Sequence, residues 1–181
     1  METERGSLPF ALVHGEPLVA AAAWAMGEAG VFLVDLGTGW EAIVDAGTPF
    51  VLHDALCPLT PPEFIVACVT HAAARSVVTV GVRPVTDTVK EVHDGVLGAT
   101  HDRAELLQVV SPVVLPASVV AALDGVPITD FAALVAELAT RFPVETLEAP
   151  AGARRVAEQN DVRVLEALTG ASGQRLPMSD G

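Results

Sequence analysis

The stretch VFLVDLGTGWEAIVDAG (31–47) contains the first residues whose spacing points to chemistry. Gly37, Gly39 and Ala42 fit the G-x-G-x-x-G/A spacing that places a helix N-terminus under a pyrophosphate. A working site of this type needs a crossover to the next strand of about a dozen residues or more, including a helix. Only about ten residues separate Gly39 from the apolar run 50–53, so a tight strand-to-helix turn is the favoured interpretation.

Histidine, aspartate and cysteine side chains are the next candidates, as metal ligands. Histidine is followed by aspartate three times, a pairing that binds metal in some all-helical phosphohydrolases, but two of the three pairs fall in a predicted hairpin where exposed polar residues are expected. A zinc site made of Cys57, Cys68 and His71 lacks a fourth ligand and the C-x₂-C spacing. A metal site built from these groups alone is therefore disfavoured. The pairs are His53-Asp54, His93-Asp94 and His101-Asp102.

Asp54 is the most informative of these residues. It directly follows the short apolar run FVLH (50–53), which predicts a position at the carboxyl edge of a sheet, where open α/β sheets bind their ligands. A carboxylate there can hold a divalent cation that neutralises phosphate oxygens. It can equally cap the turn before a helix predicted over 61–74. The residues alone leave both interpretations open.

Composition excludes several partners. The 181 residues are 51% hydrophobic and 18% charged, with a net charge of −13, one lysine and 4% aromatic residues. Nucleic acid is a poor partner because a positive groove and stacking aromatics are both in short supply. A small phosphorylated ligand would need a local group of arginines. Prolines interrupt the uncharged run 106–123, which predicts a buried loop and a helix rather than a membrane span. The N-terminus has no apolar leader, so a cytoplasmic protein with two reduced thiols is expected.

Hydrophobic patterning predicts an α/β fold, with a mostly parallel sheet covered by helices on both faces and a protruding β-arm. Residues 1–170 are expected to form a single domain, with the arm at about 84–103 and a flexible tail at 171–181. Thr60 is the predicted cap of the 61–74 helix. Helices are predicted over 17–29, 40–47, 61–74, 116–124, 130–141 and 159–169, strands over 31–36, 50–53, 77–82 and 143–148, and a hairpin around Asp94-Gly95.

Several segments, in order, resemble one family. They are LPFALVHGEPLVAAAAWAM (8–26), VLHDALCPLTPPEF (51–64), PVTDTVKEVHDGVLGATHDRAELLQVVSP (84–112), ITD (128–130) and ARRVAEQNDVRVLEAL (153–168). Together they are similar to the methylerythritol-phosphate cytidylyltransferases of non-mevalonate isoprenoid synthesis, from about residue 8 to 168. The most specific part is the arm, with P-V-x-D-T-x-K followed by T-x-D-R. The resemblance implies a sheet of the nucleotide-diphospho-sugar transferase type.

The resemblance also implies roles for individual residues. Asp54, in the H-D-A motif, would lie by a Mg²⁺ ion and the phosphates, and Arg155 would replace a lysine that steadies the phosphates. The arm, which includes Asp87 and Lys90, would reach into a twin subunit and form a homodimer. The residues implied in binding the sugar phosphate are Thr88, Arg103 and Thr129.

Departures from the family pattern set the functional expectation. The family's glycine-rich CTP loop, with its two cations, would precede Leu8 and is not matched, and Cys57 stands where the family has an arginine. The first hypothesis is therefore a degenerate, catalytically impaired cytidylyltransferase that acts through dimerisation or regulates a complete relative, with no cofactor. The second is an active enzyme that transfers CMP from CTP with Mg²⁺. The third is a methyltransferase-like binder of a nucleoside cofactor that uses Asp35, Gly37 and Gly39.

Overall fold

Valine-rich strands and alanine-rich helices alternate along the chain. The computed structural model describes residues 8–35, 37–84, 106–125 and 130–170, and the backbone of 90–93 and 96–100. The helices are α1 (Leu18–Glu28), α2 (Trp40–Asp45), α3 (Pro62–Arg75), α4 (Ala117–Val120), α5 (Phe131–Ala139) and α6 (Gln159–Gly170). The strands are β1 (Leu12–Val13), β2 (Glu16–Pro17), β3 (Phe50–Leu52), β4 (Val78–Pro84), β5 (Lys90–His93), β6 (Val96–Thr100), β7 (Leu107–Leu115) and β8 (Val144–Glu148).

A four-stranded sheet in the order β3-β7-β4-β8 lies at the centre of the hydrophobic core. The predicted α/β class is confirmed, but the sheet is mixed rather than mostly parallel. Among the described strands, β4 and β8 pair in parallel, whereas β7 runs antiparallel to both β3 and β4. The direction follows from the connection, because the chain leaves β4 into the β5–β6 hairpin and returns as β7 beside it, and such a return reverses the strand direction.

Helices cover both faces of the sheet, as the apolar pattern of its strands requires. Alternate β4 residues Val78, Val80 and Val82 face α4 and α5, with α2 packed alongside. The opposite face, which includes Val110 and Val114 of β7, is covered by α3. Each β4 side chain in the first set is at most 5% exposed. The burial of these three valines stabilises the sheet.

The two central strands approach each other closely at Gly81 and Ser111. The register shifts between Val80 and Val82, so one residue of β4 faces an irregular stretch of β7 that contains the cis peptide Ser111-Pro112. A Cβ added to Gly81 would lie 2.9 Å from the Ser111 carbonyl oxygen. Glycine is therefore required here, because only a residue without a side chain allows this approach.

Two predicted elements differ from the structure. Residues 31–35 form no strand, and Phe32 is 92% exposed, because none of the described strands pairs with this segment. The run 106–123 contains the nine-residue strand β7, not a buried loop. Proline normally argues against a central strand because it cannot donate to the ladder. Pro112 is tolerated because it lies in the irregular stretch, where the regular pairing with β4 is interrupted.

Most predicted helices are confirmed within one or two residues at each end. The four longer helices, α1, α3, α5 and α6, match their predicted ranges, whereas the helix predicted over 116–124 is reduced to α4. The Thr60 cap is wrong: Pro61 occupies the N-cap, and the Thr60 hydroxyl donates to the Cys57 carbonyl oxygen at 2.9 Å. No helix in the described ranges is long and apolar enough to cross a membrane.

The predicted arm hairpin is confirmed at its two strands. β5 and β6 pair antiparallel, with His93 opposite Val96. The remaining arm positions 85–89, 94–95 and 101–103 lie outside the described residues, as does the predicted tail 171–181.

Helix α6 is hydrogen-bonded to the turn between β1 and β2. The backbone N–H of His14 donates to Oε1 of Glu166 at 2.7 Å, and its Nε2 is 2.8 Å from the Thr169 hydroxyl. Beneath these contacts, Val13 and Leu165 are fully buried in one apolar cluster. The two segments are about 150 residues apart in sequence, so this contact joins distant parts of the chain.

Candidate active site

Asp54 lies just beyond the end of β3, and its carboxylate is almost completely buried. Its backbone N–H donates to the Ser111 hydroxyl at 2.7 Å, and its Oδ1 accepts from the Leu56 N–H at 3.0 Å. The Cys57 N–H donates to its carbonyl oxygen at 2.8 Å, which closes a tight turn. The carboxylate therefore supports the local turn, as one of the two interpretations predicts, and it also bonds to Arg155, as described next.

Arg155 reaches Asp54 from a segment that follows β8. A short 3-10 turn, Ala151–Ala153, packs so closely that a Cβ on Gly152 would lie 2.8 Å from the Leu59 carbonyl oxygen. The Val156 N–H donates to the Leu56 carbonyl oxygen at 2.7 Å. These contacts bring the Arg155 Nε–H to Asp54 Oδ2, where it donates at 3.0 Å. The structure thus brings together the two residues predicted at the catalytic position.

The Asp54–Arg155 pair lines a pocket of about 250 Å³. The Arg155 side chain is 29% exposed and Asp54 only 5%, so the guanidinium is the accessible member of the pair. The rest of the wall comes from the first half of β7 and the start of α5. The lining residues are Asp54, Cys57, Leu107, Gln108, Val109, Val110, Asp130, Phe131, Ala132 and Arg155.

A larger cavity of about 320 Å³ lies between the end of α4 and α5. Its wall includes Leu134 and Leu138 of the core, with Arg141 and Glu137 at the side. None of the predicted site residues lines it. The smaller pocket is therefore the better candidate, because it combines a buried carboxylate with an accessible cation.

Asp130 and Ser111 line or support the pocket and were not predicted. The Asp130 carboxylate caps α5 by accepting from the N–H groups of Ala132 and Ala133, at 2.9 and 3.2 Å. An aspartate directly before an apolar helix is a recognisable cap. Ser111 offered no comparable indication, because its contact with Asp54 depends on strand pairing.

The predicted sugar-phosphate residues Thr88, Arg103 and Thr129 lie outside the described residues, as does Asp87 of the arm. Lys90 is located on β5 by its backbone alone. Their proposed roles remain predictions.

Burial governs the protonation of the groups beside Asp54. Desolvation lowers the pKa of His53 to about 4, against the opposing influence of the Asp54 carboxylate. Desolvation raises the pKa of the Cys57 thiol to about 12, with the Asp54 charge acting in the same direction. Near neutral pH both groups are therefore uncharged. Cys57 contributes an apolar wall to the pocket rather than a nucleophile.

Within the described residues, the zinc site and the nucleoside-cofactor site considered from the sequence find no support, whereas the pairs His93-Asp94 and His101-Asp102 lie outside the described side chains. The described residues contain no group of three or more His, Cys, Asp or Glu side chains that could hold a metal ion, and His71 instead pairs with Glu145 at 2.7 Å. Near the glycines, Asp35 Oδ1 accepts from the Gly37 N–H at 2.7 Å in a local turn, with no strand before it. Helix α2 has only six residues. The strand-turn-helix that a nucleoside cofactor requires is absent from these residues.

The mixed sheet, the helices on both of its faces and the Asp54–Arg155 pocket define an α/β domain, and its fold is shared with solved cytidylyltransferase structures. The chain is similar to the crystal structure of 2-C-methyl-D-erythritol 4-phosphate cytidylyltransferase from Thermus thermophilus, with a TM-score of 0.66 and 24% identity, covering 91% of this chain and 95% of that one. It is also similar to the 4-diphosphocytidyl-2C-methyl-D-erythritol synthase of Anaerococcus prevotii, with a TM-score of 0.64 and 12% identity, covering 91% of this chain and 94% of that one.

Sequence comparison identifies the family within that class. The model of the 2-C-methyl-D-erythritol 4-phosphate cytidylyltransferase (IspD) family matches residues 36–170. The Nocardia farcinica enzyme of that name is 38% identical over 133 residues, 72% of this chain and 56% of the relative. The Frankia casuarinae enzyme is 34% identical over 71% of this chain and 49% of the relative. The chain belongs to this family, and it spans about half the length of these curated relatives.

Proposed function

We propose that the protein transfers CMP from CTP to 2-C-methyl-D-erythritol 4-phosphate, with Asp54 and Arg155 at the phosphate end of its site. The observation that carries this proposal is the 3.0 Å contact between the buried Asp54 carboxylate and the more accessible Arg155 guanidinium, in the wall of the 250 Å³ pocket. The names of the curated relatives support it more strongly than they support an impaired protein.

Arg155 would bind the phosphate oxygens of the substrates. Its guanidinium has donors beyond the Nε–H given to Asp54, and these can reach a phosphate in the pocket. Asp54 would hold the arginine in one orientation and balance its charge until the phosphate binds. Transfer of a phosphoryl-type group depends mainly on positioning and on stabilising charge, so one well-placed cation has a large effect.

Asp54 also fits a role in holding Mg²⁺. This ion is usually bound by one or two carboxylates together with the phosphates of the substrate, rather than by a cage of protein ligands. A single buried carboxylate at the pocket wall suits that arrangement. When bound, Mg²⁺ would neutralise negative charge on the phosphate oxygens.

The sugar-phosphate side of the site is proposed from the family resemblance. Thr88, Arg103 and Thr129 would bind the substrate phosphate and hydroxyls, and the arm that carries Asp87 and Lys90 would enter the site of a second copy. The paired β5 and β6 strands are consistent with such an arm. A native particle with twice the mass of one chain, reduced to a single chain by deletion of the arm, is the expected result.

The activity is tested by measuring pyrophosphate release from CTP and 2-C-methyl-D-erythritol 4-phosphate with Mg²⁺. Arg155→Gln is expected to reduce kcat by about 10²–10³-fold, the usual cost of losing one charge-stabilising group. Arg154→Gln is the matched control, because Arg154 directly precedes Arg155 in the sequence, pairs with Asp161 at 3.3 Å and does not line the pocket. No turnover by the wild-type protein, or equal losses in both variants, would refute the proposal.

The impaired protein remains the second candidate, and one observation favours it. Among the described lining residues, Arg155 is the sole cation and shares the pocket wall with two carboxylates, Asp54 and Asp130, which is a weak environment for a triphosphate. Calorimetric titration with CTP and Mg²⁺ separates the two candidates. Heat of binding together with turnover supports the enzyme. The absence of both supports a protein that acts through dimerisation or through a complete relative.

A further inference from the structure

Ser111 supplies a contact that the β3–β7 ladder itself cannot make. The antiparallel pairing of these strands ends with Leu52 opposite Val113. Continuing the register would place the next residue opposite Pro112, which has no N–H to donate. One step further, the fully buried Ser111 accepts the Asp54 N–H on its hydroxyl oxygen at 2.7 Å. A side chain thus continues the ladder at the point where the backbone cannot.

The position of Ser111 is itself tightly determined. Its carbonyl oxygen faces Gly81 so closely that a Cβ added to Gly81 would lie 2.9 Å from it, and the same Cβ would lie 3.2 Å from Cε1 of Phe64 in α3. Packed interiors leave such a residue little freedom to move. The Ser111 backbone, which carries the hydroxyl that accepts from Asp54, is therefore confined on the side of β4.

We propose that Ser111 is a positioning residue for the candidate active site. Its hydroxyl fixes the backbone of Asp54, so that Oδ1 meets the Leu56 N–H and Oδ2 meets Arg155. Without it, the Asp54 backbone is released and the carboxylate no longer presents a constant geometry to Arg155. The expected effect of Ser111 on kcat rests on the proposed cytidylyl transfer. The positioning of Asp54 by the Ser111 hydroxyl does not depend on that activity.

The test compares Ser111→Ala with Thr79→Val. Thr79 is an equally buried hydroxyl on the neighbouring strand β4, but its oxygen has no hydrogen-bond partner among the described residues, which makes it a matched control. ¹⁵N NMR follows the amide exchange of Asp54 and the Nε–H resonance of Arg155. The Val78 amide, bonded to the Pro143 carbonyl oxygen at 3.0 Å on the far side of the sheet, reports whether the fold is intact.

In Ser111→Ala, the Asp54 amide is expected to exchange about tenfold faster and the Arg155 Nε–H resonance to shift or broaden, with Val78 unchanged. A loss of kcat of about 10- to 100-fold, with little change in KM, is expected in the same variant, in line with the cost of a small misplacement. Thr79→Val should change neither measurement. Wild-type protein alone provides a second check, since the Asp54 amide must be protected like a strand amide although it lies beyond β3.

Unchanged exchange at Asp54 in Ser111→Ala, or an unprotected Asp54 amide in the wild-type protein, overturns the proposal. Faster exchange with an unaltered kcat overturns the catalytic part. If the wild-type protein shows no turnover, the proposed cytidylyl transfer is wrong. The NMR comparison alone then decides whether Ser111 positions Asp54.

Discussion

Acidification should destabilise the protein through His53. Both ring nitrogens are closed off from solvent, and neither has a hydrogen bond of good geometry among the described residues. Burial accordingly lowers the pKa of His53 to about 4, from 6.5, although the nearby Asp54 carboxylate and a Cys57 backbone group favour the charged ring. Between these two pH values the unfolded chain binds a proton that the folded chain does not. Stability therefore falls as the pH is lowered through this window.

The size of the effect follows from the two pKa values. Each unit of difference corresponds to about 1.4 kcal/mol, so lowering the pH from 7.5 to 5 should reduce the free energy of unfolding by roughly 2 kcal/mol, and complete titration by about 3 kcal/mol. In a domain of this size, the melting temperature should fall by roughly 4–8 °C. Urea unfolding at pH 7.5, 6 and 5, followed by circular dichroism, measures the change directly.

His53→Phe is the control, because it keeps a ring in the site and removes the titration. Its free energy of unfolding should be nearly independent of pH over the same range. Asp161 and Glu145 do not confuse the measurement. The pKa of Glu145 is lowered by its Arg75 and His71 partners. Partial burial acts to raise the pKa of Asp161, but hydrogen bonds and Arg154 lower it overall. Both carboxyls therefore titrate at lower pH. An equal loss of stability in wild-type protein and His53→Phe would refute the reasoning.

Three further predictions concern packing, a turn and the thiols. Gly81→Ala should destabilise the protein by about 1–3 kcal/mol in urea unfolding, because the added methyl group meets the β7 backbone. Gly27→Ala is the control: this glycine has open space around it in α1, so the substitution should stabilise the protein by about 0.5–1 kcal/mol. Equal effects of the two substitutions would contradict this packing. Asp161→Asn should cost about 1–2 kcal/mol in the same assay, since its carboxylate accepts two backbone N–H groups before α6 at 2.8 and 3.0 Å. Cys57 and Cys68 should both fail to react with Ellman's reagent at pH 8 until the protein is unfolded, because burial raises each pKa to about 12; rapid labelling of native protein would contradict this.

The sequence predicts those parts of the fold that depend on local pattern. Helices α1, α3, α5 and α6 carry apolar periodicity, and β4 and β8 are short β-branched or apolar runs bounded by turns. Strand β7 was not predicted because Ser111 and Pro112 within it, and Pro116 directly after it, resemble a loop. The 31–36 segment was predicted as a strand because its composition suits one, but composition does not supply a partner. Both errors depend on pairing between distant residues, which local pattern does not contain.

The residues of the candidate site also fall into two groups: those that local sequence pattern predicts and those that depend on contacts between distant residues. Asp54 could be located from the run that precedes it, because a polar residue directly after a strand is a recognisable position. Arg155 came only from the family resemblance, since 101 residues separate it from Asp54. Ser111 could not be found, because its role depends on the register of β7 against β3. Asp130 was within reach as a helix cap, but its place in the pocket wall required the packing of α5.

The distance in sequence between Asp54 and Arg155 has a consequence for synthesis on the ribosome. Asp54 leaves the exit tunnel 101 residues before its cationic partner, and the His14 turn leaves even longer before Glu166 of α6. A nascent chain that already contains β3, β4 and β7 is therefore expected to keep this carboxylate hydrated, because closing its surroundings early would bury it without the Arg155 cation. The pocket is completed only when translation has passed β8, so stalled or shortened products would carry the sheet without a finished binding site.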